Sequence, residues 1–200
     1  MSLTSTLRGG LTQLAAAARF LGVLTVLLGL AYPLALTGFA RVVVPHRADG
    51  ALVERDGTVV GSALVGQSFA GDASYFQSRP SAAGDGYDPL ASGASNLSPE
   101  NPDLVATVRQ RIADVAAFDG VDPAEVAPDA VLASGSGLDP HISPEYAEQQ
   151  VARVARTRKL APATVRSLVA DSTTGRTLGF LGEPRVNVLE LNLALDGLED

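Results

Sequence analysis

Ser134, Ser136, Asp139 and His141 lie close together in the run Ala133-Ser134-Gly135-Ser136-Gly137-Leu138-Asp139-Pro140-His141-Ile142-Ser143-Pro144, the densest polar segment of the chain. Three chemistries are open to it. Serine, histidine and aspartate are the residue types of a nucleophilic triad, in which the imidazole removes the hydroxyl proton and the carboxylate orients the ring. A membrane-anchored serine hydrolase would use Ser136 and His141, although the nucleophile-elbow pattern G-x-S-x-G is absent. Gly135, Ser136 and Gly137 precede a helix start, where backbone N–H groups can cradle a phosphate. No G-x-x-x-x-G-K-[ST] accompanies them, and the only lysine, Lys159, lies elsewhere. The third reading is a rigid loop that positions a helix or docks a partner. His46 and His141 are the only histidines and cysteine is absent, so a metal site built on Asp139 and His141 would be thin. Arg79-Pro80-Ser81 and Glu183-Pro184-Arg185 add loop charges that need partners before they can do chemistry.

The elements that must position this loop can be read from caps and periodicity. Asn101 caps a helix with Pro102 at its first position and Asp103 complementing the dipole. Leu104, Val105, Val108, Ile112 and Val115 give that helix its apolar face, with Arg109 and Arg111 off it. Ser143 caps a second helix that starts at Pro144, runs to about Lys159 and buries Ala147, Val151, Val154 and Ala155. Arg153, Arg156, Arg158 and Lys159 gather near its end, where positive charge suits the dipole. Pro162 starts a shorter helix through Val165, Leu168 and Val169. Thr58–Phe69 is β-branched and apolar between glycines, which predicts one or two short strands. Residues 70–102 are rich in Gly, Ser, Asp, Asn and Pro, yet Tyr75, Phe76 and Tyr87 argue against simple disorder. In 186–195 alternating leucines favour a strand, while Asn187 three residues before Glu190 is spaced as a capping box; the balance tips to helix.

Ahead of all this, Phe20–Ala40 is an uncharged run of 21 residues. About 20 apolar residues cross a ~30 Å hydrocarbon core. The core of a cleaved signal peptide is shorter, about 7–15 residues with small residues at the cleavage site, so a retained anchor is expected. Pro33 should kink it, and Gly22, Gly29 and Gly38 lack G-x-x-x-G spacing. The predicted organisation is an N-terminal tail at 1–19, a transmembrane helix at 20–40, a turn-rich neck at 41–57 and a soluble domain at 58–200. The fold class is α+β: a single membrane helix followed by one helix-rich domain with a small β-sheet. Residues 48–200 hold all 22 acidic residues against 11 basic ones, a formal charge of −11. That acidity argues against nucleic acid, which needs a basic footprint. Arg8 and Arg19 before the span balance Arg41 and Arg47 after it, so charge barely orients it.

Five tracts then carry a resemblance. They are Gly66-Gln67-Ser68-Phe69, Tyr75-Phe76-Gln77-Ser78-Arg79-Pro80-Ser81, Ser92-Gly93-Ala94-Ser95-Asn96-Leu97, Ala133–Ser143 and Leu181-Gly182-Glu183-Pro184-Arg185-Val186-Asn187-Val188-Leu189. In this order, behind a helix containing Tyr32-Pro33-Leu34, they resemble the C subunit (KdpC) family of the bacterial Kdp potassium-transporting ATPase. The resemblance runs from about Leu21 to Leu195; Ser98 before Pro99 departs from an expected glycine. It implies a non-catalytic accessory subunit whose partners are a channel-like potassium-binding subunit, a P-type ATPase subunit and a small accessory helix. It further implies a cytoplasmic-membrane location with the N-terminus cytoplasmic and the soluble domain external. A role as catalytic chaperone is also implied, raising the ATPase subunit's affinity for ATP, with ATP held if at all in a ternary complex. An external domain cannot touch cytoplasmic nucleotide, so such an effect would have to pass through the membrane helices. Tyr32, Pro33, Tyr75, Phe76, Arg79, Ser134, Asp139, His141, Glu183 and Arg185 are the interface candidates.

Overall fold

A computed structural model describes residues 3–198, with side chains from residue 10 onward. The chain forms two units, residues 1–51 and 52–200.

In the first unit, α1 (Leu3–Val26) leads into a π-helical turn at Leu27–Ala31 and then α2 (Tyr32–Val43), followed by the short α3 (Pro45–Ala48). The stretch Gly10–Val43 is 34 residues long, contains an 18-residue window of mean hydropathy 2.1 and has no buried side chains, so it is long and apolar enough to cross a membrane. Pro33 explains the wide turn. Its ring lacks an N–H and would strike the carbonyl four residues back, at Gly29. The backbone relaxes just upstream, where the Tyr32 N–H reaches back five residues to the Leu27 carbonyl. Thr37 Oγ1 donates to the Pro33 carbonyl at 2.8 Å. The local disturbance expected at Pro33 is therefore a π-helical turn.

The second unit begins with a hairpin of β1 (Leu52–Arg55) and β2 (Thr58–Ser62), with a register shift between Val53 and Glu54. Asp56 and Gly57 both take positive φ, 52° and 74°, as the tight two-residue turn of a hairpin demands. Residues 41–57, expected as a turn-rich neck, thus hold the end of α2, all of α3 and the first strand. Helix α4 (Pro102–Asp119) follows, with Asn101 Oδ1 accepting from the Asp103 and Leu104 amides and Gly120 closing the helix at φ 75°. Helix α5 (Pro144–Arg158) is capped by Ser143, whose hydroxyl accepts from the Tyr146 amide. Helix α6 (Pro162–Asp171) packs on α5.

The other sheet has the order β3 (His141–Ile142), β5 (Arg185–Asn187), β4 (Thr173–Thr174), all antiparallel. Directly after β5, Asn187 caps α7 (Val188–Asp196) by accepting from the Glu190 amide. The ambiguous C-terminal run is therefore a strand of three residues and then a helix, with the capping spacing deciding the larger part. The core lies between α5, α6, α7 and this sheet. Ala147, Val151, Val154, Val165, Val186 and Leu191 are fully buried, and Phe76 joins them from the irregular segment. Each large apolar side chain so buried contributes roughly 1.5–3 kcal/mol.

The irregular segment is held by side chains acting as β-ladder partners. Asn192 accepts from the Phe76 amide at 2.8 Å and donates to the Phe76 carbonyl at 3.0 Å. Gln150 does the same for Gln77, at 2.6 and 3.2 Å. Arg153 completes the grip, and here the structure differs from the expectation of a cation placed near the helix end to complement the dipole. Its guanidinium is 1% exposed, pairs with Asp119 at 2.8 Å and stacks on the Phe118 ring at 4.6 Å. It also donates to the carbonyls of Ala73 and Tyr75 and to Gln150 Oε1, at 2.7, 2.9 and 2.7 Å. A buried cation needs this full set of acceptors, because desolvation costs several kcal/mol per ion. Arg158, from the same predicted cluster, is also drawn inward, onto the Ser74 carbonyl and Asp196. Arg111, expected off the apolar face and in water, donates to the Val131 carbonyl at 3.0 Å.

Candidate functional site

The Ala133–Ser143 loop is the knot that joins the irregular segment to the start of α5. Its carbonyls point outward to neighbouring loops. Ser136 O accepts from the Gly93 amide at 2.8 Å and from Ser92 Oγ at 3.0 Å. Gly137 O accepts from Ser81 Oγ at 2.6 Å, and Leu138 O from the Gly66 amide at 2.9 Å. Gly137 itself sits at φ 68°, where a Cβ would lie 2.7 Å from both the Ala83 nitrogen and the Gly93 oxygen. Only glycine fits that backbone crossing. Four of the five tracts singled out in the sequence thus meet here, which explains their glycines and serines.

The geometry bears on the three chemistries. The Ser136 hydroxyl accepts from the Leu138 amide at 3.1 Å and lies 3.5 Å from the Ser134 hydroxyl. His141 turns its Nδ1 to Asp139 at 3.1 Å, and its backbone N–H donates to the same carboxylate oxygen at 3.0 Å. Among the described residues Ser136 and His141 share no hydrogen bond, the contact a nucleophile and its base require. Amides that a phosphate would need are partly spent inside the loop, since Gly137 N–H donates to Ser134 O. The arrangement fits the third reading, a rigid positioning loop.

Five candidates converge nonetheless. Arg79, Asp139, His141, Glu183 and Arg185 line one open cleft of about 590 Å³, together with Asp129, Ser143 and Glu145 at the start of α5. Arg79 forms the centre: Nη1 reaches Asp139 at 3.1 Å, while Nε and Nη2 donate to the Leu132 carbonyl. The Tyr87 hydroxyl donates to the Arg79 carbonyl at 2.6 Å and fixes the arginine from behind. Burial pushes the Asp139 carboxyl upward, but hydrogen bonds from the His141 ring and backbone, with the charges of His141 and Arg79, outweigh it and hold Asp139 below its ordinary range. Asp129 accepts from the Ser143 amide and hydroxyl at 2.6 and 2.9 Å, tying the helix cap to the cleft floor. Glu183 is paired with Arg176 across an exposed turn. The cleft is a constrained set of alternating charges presented to solvent, suited to binding a polar surface.

The remaining candidates lie elsewhere. Tyr75 donates to Asp196 at 3.2 Å under the Arg158 guanidinium, 4.5 Å from its ring. Phe76 is fully buried in the core and presents no surface to a partner. Ser134 is buried in the knot. Tyr32 and Pro33 are exposed on the apolar helix. The sequence reading missed the weight carried by Ser81, whose hydroxyl donates to Gly137 O and accepts from the Ala83 and Tyr87 amides. A serine after proline in a turn-rich run was the available signal.

Comparison with known proteins agrees with these motifs. The profile of the family described as KdpC, the K+-transporting ATPase c chain, matches residues 14–197. A potassium-transporting ATPase KdpC subunit from Kineococcus radiotolerans is 60% identical over 98% of this chain and 96% of its own length. KdpC subunits from Gemmatimonas aurantiaca and Sorangium cellulosum are 55% and 56% identical, each over 88% of this chain and over 87% and 92% of their own lengths. With matches of that extent across the anchor, the knot and the cleft, the chain belongs to the KdpC family of potassium-transporting ATPase subunits.

Proposed function

We propose that this chain is a non-catalytic accessory subunit that spans the membrane once and stabilises an ATP-driven potassium uptake complex. The observation that carries the reading is the 60% identity to a KdpC subunit over 98% of the chain. In this reading ATP is hydrolysed on another chain, and the partners are a channel-like potassium-binding subunit, a P-type ATPase subunit and a small accessory helix. Residues 20–40 cross the membrane, with the N-terminus cytoplasmic and the domain beyond residue 57 external. The Arg79–Asp139–His141 cleft with Glu183 and Arg185 serves as a docking surface, and the Tyr32–Pro33 region sets the contacts within the membrane. The −11 charge of residues 48–200 supports a further role, concentrating potassium near the ion entrance by electrostatic focusing. An effect on the ATP affinity of the ATPase subunit then travels through the membrane helices.

Co-purification of the tagged chain from membranes tests the core of this reading. Recovery with a P-type ATPase and a channel-like subunit is the expected result, and recovery alone overturns it. Charge reversal of Glu183 and Arg185 together, which leaves the Arg79–Asp139–Leu132 contacts in place, should release the partners while the fold is retained. Assembly unchanged by that double substitution would remove the cleft from the docking surface.

A further inference from the structure

A second cleft, of about 440 Å³, opens between α4, the irregular segment and the first turn of α5. We infer that it is a binding site for a small, uncharged molecule with an apolar body and one acceptor oxygen, which Tyr146 holds through its hydroxyl. The volume falls in the range of small-molecule sites, which are mostly apolar with a few placed polar groups. Phe69, Val115, Phe118 and Ala130 supply apolar wall. Tyr146 is the polar group with no other task. Its side chain is 97% buried, at 3% exposure, in the first turn of α5. Its hydroxyl has no hydrogen-bond partner among the described residues, although every other tyrosine hydroxyl of this unit donates: Tyr75 to Asp196 and Tyr87 to the Arg79 carbonyl. The hydroxyl is not sealed in either, since no fully enclosed side-chain polar atom lacks a partner, and the space Tyr146 borders is this cleft. Open to the cleft, the hydroxyl is free to donate to an acceptor oxygen carried by a ligand.

The groups around Tyr146 settle the ligand's charge. Burial and the neighbouring Asp119 carboxylate raise the phenol's pKa, so it stays a proton donor throughout the neutral range. Asp119 is already neutralised by Arg153, and at the other end Arg111 and Asp114 stand one helical turn apart with opposite charges. Neither sign is in excess along the α4 wall, and Arg79 on the facing wall is paired with Asp139, which favours a neutral body over an anion or cation.

The test uses the full chain in lipid nanodiscs with valine methyl groups labelled for NMR. Acetophenone, a ring with a carbonyl, is titrated against ethylbenzene, the same shape without the acceptor. A saturable shift of the Val115 methyl resonance is expected with acetophenone, distinct from the linear partitioning response of Val23 and Val26. Tyr146→Phe should weaken acetophenone about threefold or more, the worth of one hydrogen bond, and leave ethylbenzene unchanged. Because the hydroxyl bonds to no other group, the variant should fold as the parent does. A Val115 shift that never saturates, or equal acetophenone affinity in parent and Tyr146→Phe, would overturn the inference.

Discussion

Replacing Arg153 by methionine removes a fully buried cation that links the core to the irregular segment, and its cost can be worked from the contacts. Asp119, 2% exposed, loses its ion pair and keeps only the Gln149 amide at 2.7 Å. The Ala73 carbonyl loses its donor, while Tyr75 O retains the Gln77 side chain and Gln150 Oε1 retains the Gln77 amide. Breaking a buried pair by removing one partner typically costs about 3–5 kcal/mol, a large part of a domain's usual ~5–15 kcal/mol. For a unit of 149 residues, from 52 to 200, each kcal/mol lowers Tm by about 2–4 °C. The expected drop is therefore roughly 6–20 °C. Near-ultraviolet dichroism of the full chain in detergent should follow it, because Tyr75, Tyr87 and Tyr146 all report on this unit. The double variant Arg153→Met/Asp119→Asn should lose less than the sum of the single losses, by about 1–3 kcal/mol. A drop below about 3 °C for Arg153→Met, or strict additivity in the double variant, would refute the claim that this pair organises the domain.

Other outcomes follow from the same contacts. Gly137→Ala should destabilise by more than about 2 kcal/mol, since left-handed strain of ~1–2 kcal/mol adds to contact at 2.7 Å with two backbone atoms; thermal unfolding checks it, and Gly135→Ala, with open space around its Cβ, should be near neutral. Acid should unfold the domain through depressed carboxylates: Asp139 and Asp196 both lie below the usual 3.8 in the folded state. For Asp196 burial pushes upward, but hydrogen bonds from Arg158, Arg55 and Tyr75 win. A depressed folded pKa adds stability above about pH 4 that is lost as pH falls through the folded value, so Asp139→Asn and Asp196→Asn should each flatten the acid limb of a stability–pH curve. Ser136→Ala removes the bond to the Leu138 amide and the long contact with the Ser134 hydroxyl, at roughly 0.5–1.5 kcal/mol, and should leave complex assembly intact by co-purification.

What the sequence made legible was local. Asn101, Ser143 and Asn187 cap the helices that their spacing announced, because a cap and the backbone amides that donate to it lie within three residues. The hairpin is legible on its second side only, within Thr58–Phe69, because Leu52–Arg55 is too short to stand out inside the turn-rich stretch 41–57. Arg153 shows the harder limit. Tyr146, Gln150 and Arg153 recur at helical spacing beside the apolar stripe, a pattern that marks a widened buried face. The acceptors that make burial tolerable, Asp119 and the Ala73 and Tyr75 carbonyls, are remote in sequence and carry no local trace. The same holds for the second cleft, whose walls come from segments far apart in the chain. Four of the five resemblance tracts did locate the knot, because chain crossings that admit only glycine or a short hydroxyl leave fixed residue types behind.

The π-helical turn at Leu27–Ala31 has a geometric consequence for the apolar helix. A wide turn counts as one residue inserted into an otherwise 3.6-residue winding, which advances everything beyond it by about 100°. A stripe followed on α1 at seven-residue intervals therefore continues on α2 at an interval of eight. Gly22 and Gly29 share a stripe by the ordinary count, yet the same count carried past Tyr32 points to the wrong side of the rod. Deleting one residue between Leu27 and Ala31 would remove the wide turn and restore the ordinary count, so the residues of α2 would keep the faces they now hold while the seven-residue interval ran through the whole helix. The fault line works as a phase offset between two contact faces, and scanning substitutions along this helix must be interpreted separately on its two sides.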